Sequence, residues 1–222
     1  AQPAFLAALH TWGRSLSLHP HLHVLAADGG LSEQGAWVTP RRSHFLPARV
    51  LMLLFRGKLL AVLREGVERR SLLIPADTSP ERLRSLLNRL GRKKWNVHIR
   101  ARYAHGAGVA AYLARYLKGG PLKNTQLLPA AEGTVRFRYQ PHRDEDDPSS
   151  DPVVMTLTPE AFLARYLAHL PQPGLQSGRG YGLYGSRAGA RLDQARAALG
   201  EPPVVEPAPL TVEAFLARFN RT

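Results

Sequence analysis

An α+β fold is what this sequence predicts, an antiparallel sheet flanked by helices with a helical C-terminal extension, and three observations carry the prediction. Two strand-like runs, "AFLAALHTW" and "HPHLHVLAA", stand on either side of the turn-rich "GRSLS". Further on, "GTVRFRYQPH" alternates apolar and polar residues with the period of a strand, and "VVMTL" resumes the sheet. Helix start and stop signals frame several other stretches, among them "SPERLRSLLNRLG" and "TPEAFLARYLAHL".

Taken in order, the hairpin is followed by "DGG" and a short third strand over Ala36–Thr39, ahead of the turn-rich "TPRRS". "LPARVLMLLFRGKLLAVLREG" reads as a helix with Pro47 at its first position and Gly66 as its stop. In the next helix Ser79 is the cap, Pro80 and Glu81 occupy the first turn, and Gly91 is the expected end. "KKWNVHIRARY" places Trp95, Val97, Ile99 and Ala101 at alternate positions and predicts a strand. "GAGVAAYLARYLKGG" returns to helical spacing between glycines, and "DEDDPSSDP" is an acidic turn or linker between two strands. The C-terminal part predicts helices in "TPEAFLARYLAHL" and "SRAGARLDQARAALG", then a stiff exposed spacer, "EPPVVEPAP", and a last helix in "TVEAFLARFN". These breaks suggest segments 1–157, 158–200 and 201–222.

A chain of 222 residues with 44% hydrophobic content can fill a proper core. Thirty Lys and Arg against 17 acids give a net charge of +13, which favours a polyanionic partner, nucleic acid first. Cysteine is absent, so disulfides and thiolate metal sites are excluded and any metal must be held by imidazole or carboxylate. With no long apolar run and no signal-peptide pattern, the chain is expected in the cytoplasm, associated with the nucleoid. It begins with Ala, so an upstream segment is expected.

The chemistry-bearing residues lie in two short motifs. On a strand His19, His21 and His23 share one face, with Pro20 and Leu22 pointing away, so neighbouring imidazoles can chelate one ion. If "GRSLS" closes a hairpin, His10 comes to lie across from His21 and offers a third ligand, with His19 the competitor and His105 a remoter one. Imidazole suits Mn, Zn, Fe or Ni, while Mg usually prefers oxygen. In "YLARY" Tyr112 and Tyr116 are four residues apart on a helix, which puts both hydroxyls on one face about one turn apart. A phenol with an ordinary pKa near ~10 is a poor nucleophile at neutral pH. A metal ion that polarises a phosphoryl oxygen can compensate.

Together "HTWGRSLSLHPHLHVLAADGGL", "YLARYLKGGPLKN" and "RGYGLYG" resemble the two-tyrosine branch of HUH transposases, the enzymes of insertion sequences that move by a rolling-circle route. HUH denotes His, hydrophobic residue, His, here His21, Leu22 and His23. The resemblance covers most of residues 5–200 and implies an RRM-like sheet with the histidine strand central and the tyrosine helix beside it. It makes residues 1–157 the endonuclease and strand-transfer domain. It also implies a divalent cation, Mg or Mn expected, on His21 and His23, and Tyr112 and Tyr116 as nucleophiles forming 5′-phosphotyrosine links to single-stranded DNA at transposon ends and target. His10 as third ligand rests on the hairpin argument. The family usually carries an N-terminal cysteine-rich zinc module, which this chain does not contain.

Arg14, Arg115, Lys118 and Lys123 are the basic residues nearest these motifs and the expected DNA contacts. Further cations (Arg41, Arg42, Arg56, Lys58, Lys93, Lys94, Arg136, Arg138, Arg143) and the rings of Trp12, Trp95 and Tyr139 could join them. "RGYGLYGSR" reads either as a nucleic-acid-contacting loop or as a packing turn. Two alternatives to the nuclease stay open: a DNA-binding module without cleavage, and a metallohydrolase that uses the histidines and a water nucleophile.

Overall fold

The computed structural model describes residues 1–40, 47–117, 119–129, 133–141, 151–205, 209 and 211–219. Among these, strands β1 (Gln2–Trp12) and β2 (Leu18–Leu31) form a long antiparallel hairpin, as the two apolar runs around "GRSLS" predict. Short β3 (Trp37–Val38) pairs with the far end of β2. The fourth strand of this sheet, β6 (Gly178–Gly182), joins the other edge of β1 and completes the order β3-β2-β1-β6. The segment "RGYGLYGSR" is therefore partly sheet: its loop-like composition conceals a strand and the turn that follows.

Strands β4 (Val135–Tyr139) and β5 (Val153–Leu157) pair with each other in a separate two-stranded sheet, where the sequence predicts that "VVMTL" resumes the main one. Helix α4 (Pro159–Leu167) starts at Thr158, whose hydroxyl accepts from the Ala161 backbone N–H, and its Phe162 packs on fully buried Phe137 at 6.2 Å between ring centroids. Helix α5 (Gly189–Ala198) sets Ala195 into the main core with Ala4, Leu31 and Leu183. Arg191 of α5 donates to the Ser32 carbonyl at 3.2 Å, fastening that helix beyond the end of β2. The last helix is α6 (Val212–Phe219).

The chain divides into two compact units, residues 1–39 with 105–222 and, inserted between them, residues 40–104. The inserted unit contains α1 (Ala48–Glu68) and α2 (Pro80–Arg92), which pack on each other. Ser79 caps α2 as its position predicts, accepting from the Arg82 N–H. Helix α1 begins one residue after Pro47 and does not stop at Gly66: it runs to Glu68 and ends on Arg70 in the left-handed region, φ 54°. The Arg70 and Ser71 N–H groups bond back to the Val67 and Gly66 carbonyls, which closes the helix without glycine. Gly66 has another task, because a Cβ there would lie 2.8 Å from Leu72 Cγ on the returning chain. Helix α2 likewise continues one residue beyond Gly91.

Residues 94–103 form no strand, contrary to their alternation. Trp95 and Val97 are half-buried and Asn96 and His98 exposed, but Ile99 and Ala101 are exposed as well, so the alternation in burial ends at Val97, and no described strand pairs with the segment. The Trp95 indole N–H donates to the Leu90 carbonyl at 3.1 Å and folds this segment back onto α2.

Candidate active site

The site is built on the inner face of the hairpin. Along β2 His21, His23, Leu25 and Ala27 are half-buried while Leu22, Val24, Ala26 and Asp28 are exposed, the two-residue period of a sheet with one covered face. In β1 the covered positions include Ala4, Ala8 and His10. The register places His10 directly opposite His21 and Ala8 opposite His23. Helix α3 (Gly106–Leu117) brings Tyr112 and Tyr116 onto His10 and His23 of this face.

Three imidazoles converge here: one ring nitrogen from each of His10, His21 and His23 lies within 4.8 Å of the others. The tautomers follow from their partners. The His21 Nδ1–H donates to the His19 carbonyl at 2.7 Å, leaving a lone pair on Nε2. The His10 Nε2–H donates to the Tyr116 carbonyl at 2.8 Å, leaving the lone pair on Nδ1. His21 Nε2 and His23 Nε2 face each other at 3.1 Å. Two nitrogens bound at ~2.1 Å to one ion are themselves roughly 3.0–3.4 Å apart, so this separation fits a shared cation. Backbone carbonyls that hold the second nitrogen of two of these rings are the usual support of metal-binding histidines.

Burial opposes protonation of His10 and His23. His23 is pushed down to about 4, first by desolvation and then by its neighbours His10 and His21. His10, only 6% exposed, is also lowered, chiefly by burial, with the Tyr116 carbonyl opposing and His21 adding to the effect. Both imidazoles therefore stay neutral near pH 7, the form that binds metal.

The tyrosines of α3 meet this cluster. Tyr116 stacks on His23 with ring centroids 3.8 Å apart and lies 5.9 Å from His10. Tyr112, one turn earlier, is 4.6 Å from Tyr116 and 6.3 Å from His23, edge to face. Both side chains are half-buried at the rim. Strand β6 runs close to the end of this helix with glycine at alternate positions: Gly178, Gly180 and Gly182 pair with Ala8, Leu6 and Ala4. A Cβ on Gly178 would come within 3.3 Å of Leu117 Cδ2, next to Tyr116 in the chain.

The remaining candidate residues are distributed as follows. His19 is exposed, its ring 5.1 Å from His21, and it contributes its carbonyl to the cluster. His105 precedes α3 and is exposed. The Arg14 guanidinium donates to the Pro141 carbonyl at 2.8 Å and is thus engaged within the protein. Arg115 is exposed, 6.0 Å from the Tyr116 ring. Lys123 is exposed at the start of a 3-10 turn (Asn124–Gln126), its backbone N–H donating to Gln126 Oε1. Lys118 lies outside the described residues, as do Arg41, Arg42 and Arg143. Trp12 stacks on His10 at 4.3 Å and so walls the cluster, and Trp95 belongs to the inserted unit.

One residue that sequence reasoning does not single out is His169, just beyond α4. It is 6% exposed, accepts from the Thr11 hydroxyl at Nδ1 and donates from Nε2 to the Leu16 carbonyl, both at 3.1 Å. It thereby clamps the closed end of the hairpin that carries the histidine cluster. A lone histidine after a helix carries no periodicity, so only its apolar surroundings hint at burial.

A family model described as "Putative transposase" matches residues 4–191. The chain belongs to this transposase family. The transposase chain is 34% identical over 206 residues to "Putative transposase y4qJ" of Sinorhizobium fredii (strain NBRC 101917 / NGR234), covering 90% of this chain and 51% of that protein. It is 31% identical over 185 residues to "Transposase for insertion sequence element IS801" of Pseudomonas savastanoi pv. phaseolicola, covering 81% of this chain and 43% of that protein. It thus spans about half the length of the curated relatives it matches. No solved structure matches it. Among the described residues, no helix is long and apolar enough to cross a membrane.

Proposed function

We propose that this transposase chain carries the nicking and joining centre of a two-tyrosine HUH enzyme, acting on single-stranded DNA in rolling-circle transposition. The observation that carries the reading is the seating of Tyr112 and Tyr116 against the His10, His21 and His23 cluster, with Tyr116 stacked on His23 at 3.8 Å. His10, His21 and His23 would hold a divalent cation, Mg or Mn. When bound, the ion supplies polarisation of a phosphoryl oxygen and neutralises charge as the phosphorus is attacked. The protein's own groups do the rest. A tyrosine Oη loses its proton to solvent and bonds to phosphorus while the P–O3′ bond breaks, and the leaving 3′ oxygen takes up a proton from water. The product is a 5′-phosphotyrosine link and a free 3′-hydroxyl, and attack by a 3′-hydroxyl on that link reverses the step to join strands. Two tyrosines on one helix face allow two strands to be held at once.

The test is an incubation of the chain with single-stranded oligonucleotides from element ends and Mn or Mg. A covalent adduct that survives denaturation is expected, lost in Tyr112→Phe/Tyr116→Phe and in His21→Ala. Adduct persisting in the double tyrosine variant refutes the assignment.

A further inference from the structure

The positive charge of this chain is segregated. Residues 40–104 hold sixteen of the thirty Lys and Arg but only four of the seventeen Asp and Glu, a net +12 of the total +13. The larger unit, with the histidine and tyrosine cluster, is close to neutral at +1. A general preference for arginine would load both units in proportion to length. Concentration in one unit instead marks a surface for a polyanion.

Helix α2 orders part of this charge. Arg82, Arg89 and Arg92 recur at helical spacing on one face, all exposed, and the row runs on into Lys93 and Lys94. None of the three arginines has a side-chain hydrogen bond or ion pair among the described residues. Elsewhere in the unit, by contrast, Arg56 donates to the Lys93 carbonyl and Arg69 pairs with Glu65 at 2.7 Å. The opposite face of α2 is spent on packing: Leu87 is buried, and Gly91 lies against Leu60 of α1. Of the α2 leucines only Leu86 is exposed, so α2 lacks the continuous free apolar face of an amphipathic membrane helix. A row of free guanidinium groups without an accompanying apolar face suits the phosphates of a nucleic-acid backbone.

We infer that the inserted unit, through the Arg82, Arg89 and Arg92 row of α2, supplies the principal grip on DNA phosphates, separately from the unit that does the chemistry. This rests on the proposed function only in taking DNA as the partner. It moves the main electrostatic contact away from Arg14, Arg115 and Lys123.

The experiment uses the full chain as Tyr112→Phe/Tyr116→Phe with metal chelated, so binding is read without cleavage. Affinity for a single-stranded oligonucleotide and for a hairpin is measured by fluorescence anisotropy between about 50 and 200 mM salt. Adding Arg82→Gln, Arg89→Gln and Arg92→Gln is expected to weaken binding about tenfold or more and to reduce the log–log salt slope by roughly 2 on single strands. The lysine versions of the same three positions, which keep the charge, should retain the slope and control for folding. Changing Arg14, Arg115 and Lys123 to Gln should have the smaller effect. Wild-type affinity and slope in the α2 glutamine variant overturn the inference, as does equally tight binding to anionic phospholipid vesicles. Loss of binding in that variant, with no tyrosine adduct ever formed by the native chain, upholds the inference and overturns the catalytic proposal. Adduct formation combined with unaltered binding does the reverse.

Discussion

Replacing His169 by alanine tests the clamp on the hairpin. The imidazole is 6% exposed and bridges two elements, accepting from Thr11 on β1 and donating to the Leu16 carbonyl in the turn. Leu16 is itself 1% exposed and held at φ 59°, so its carbonyl cannot turn to water without dismantling the turn. Removing the ring leaves that carbonyl and the Thr11 hydroxyl without these partners, at about 1–3 kcal/mol for a buried polar group, and empties space beside Trp12. A loss of about 3 kcal/mol is expected, read as the shift in urea midpoint with metal chelated. Because the freed end of the hairpin carries His10 and His21, Mn affinity in a direct titration should fall in the same variant. His169→Gln keeps a donor near the Nε2 position and should recover roughly half of the stability, about 1–2 kcal/mol. His169→Phe, which fills the space without bonding, should not. A loss below ~0.5 kcal/mol, the level of an unremarkable surface change, or full recovery by phenylalanine would show that the two hydrogen bonds are not what holds the turn.

Two further outcomes follow from the same site. His23 is lowered to about 4 in the fold against an ordinary value near 6.5, so on acidification the unfolded chain takes up its proton first. The contribution is complete above pH ~6.5 and is lost as the pH falls through 4. Urea unfolding of the metal-chelated protein at stepped pH should therefore show a decline over that window that is shallower in His23→Gln, and an identical slope in the variant contradicts the assigned burial effect. At Gly178, alanine requires Leu117 Cδ2 to yield by a few tenths of an ångström, whereas valine adds methyl groups that force the end of α3 outward. Alanine should be tolerated, while valine should cost about 1–3 kcal/mol and slow adduct formation, by ~100-fold if the tyrosines move by 1 Å. Wild-type rates with valine would mean that Gly178 does not set the height of the tyrosine helix.

The histidine pairing is legible in the sequence, though partly by compensation. A turn counted as centred between Ser15 and Leu16 puts His10 opposite His21, as observed, yet the turn itself centres on Ser15, with Trp12 opposite Leu18 and the Gly13 N–H bonded to the Ser17 carbonyl, and an irregularity between His10 and Trp12 restores the counted register. The tyrosine spacing is equally explicit, since i and i+4 on a helix always adjoin. Alternation over Trp95–Ala101 is a weaker guide. Its apolar positions are only half used, since Trp95 and Val97 are half-buried where the chain folds back onto α2, while Ile99 and Ala101 are exposed. The insertion of residues 40–104 is a property of contacts, and its trace in the sequence is a step in charge that no hydrophobic period records.

Strand β6 is the instructive failure. Pattern reading depends on side chains, and one face of this strand has none: exposed Gly178 and half-buried Gly180 and Gly182 sit where apolar residues would announce a strand. Glycine also disfavours an extended strand on entropic grounds, so both propensity and period argue against the observed pairing. What opposes them is geometry. The Ser177 carbonyl accepts from the Leu9 N–H at 2.7 Å, extending the contact with β1 just ahead of the strand, while Leu117 approaches Gly178 from the helix. A side chain larger than alanine there would press on Leu117, the chain neighbour of Tyr116, whose ring stacks on His23. The feature that hides the strand from sequence reading is thus also the one that leaves room for Leu117, next to the tyrosine that meets His23.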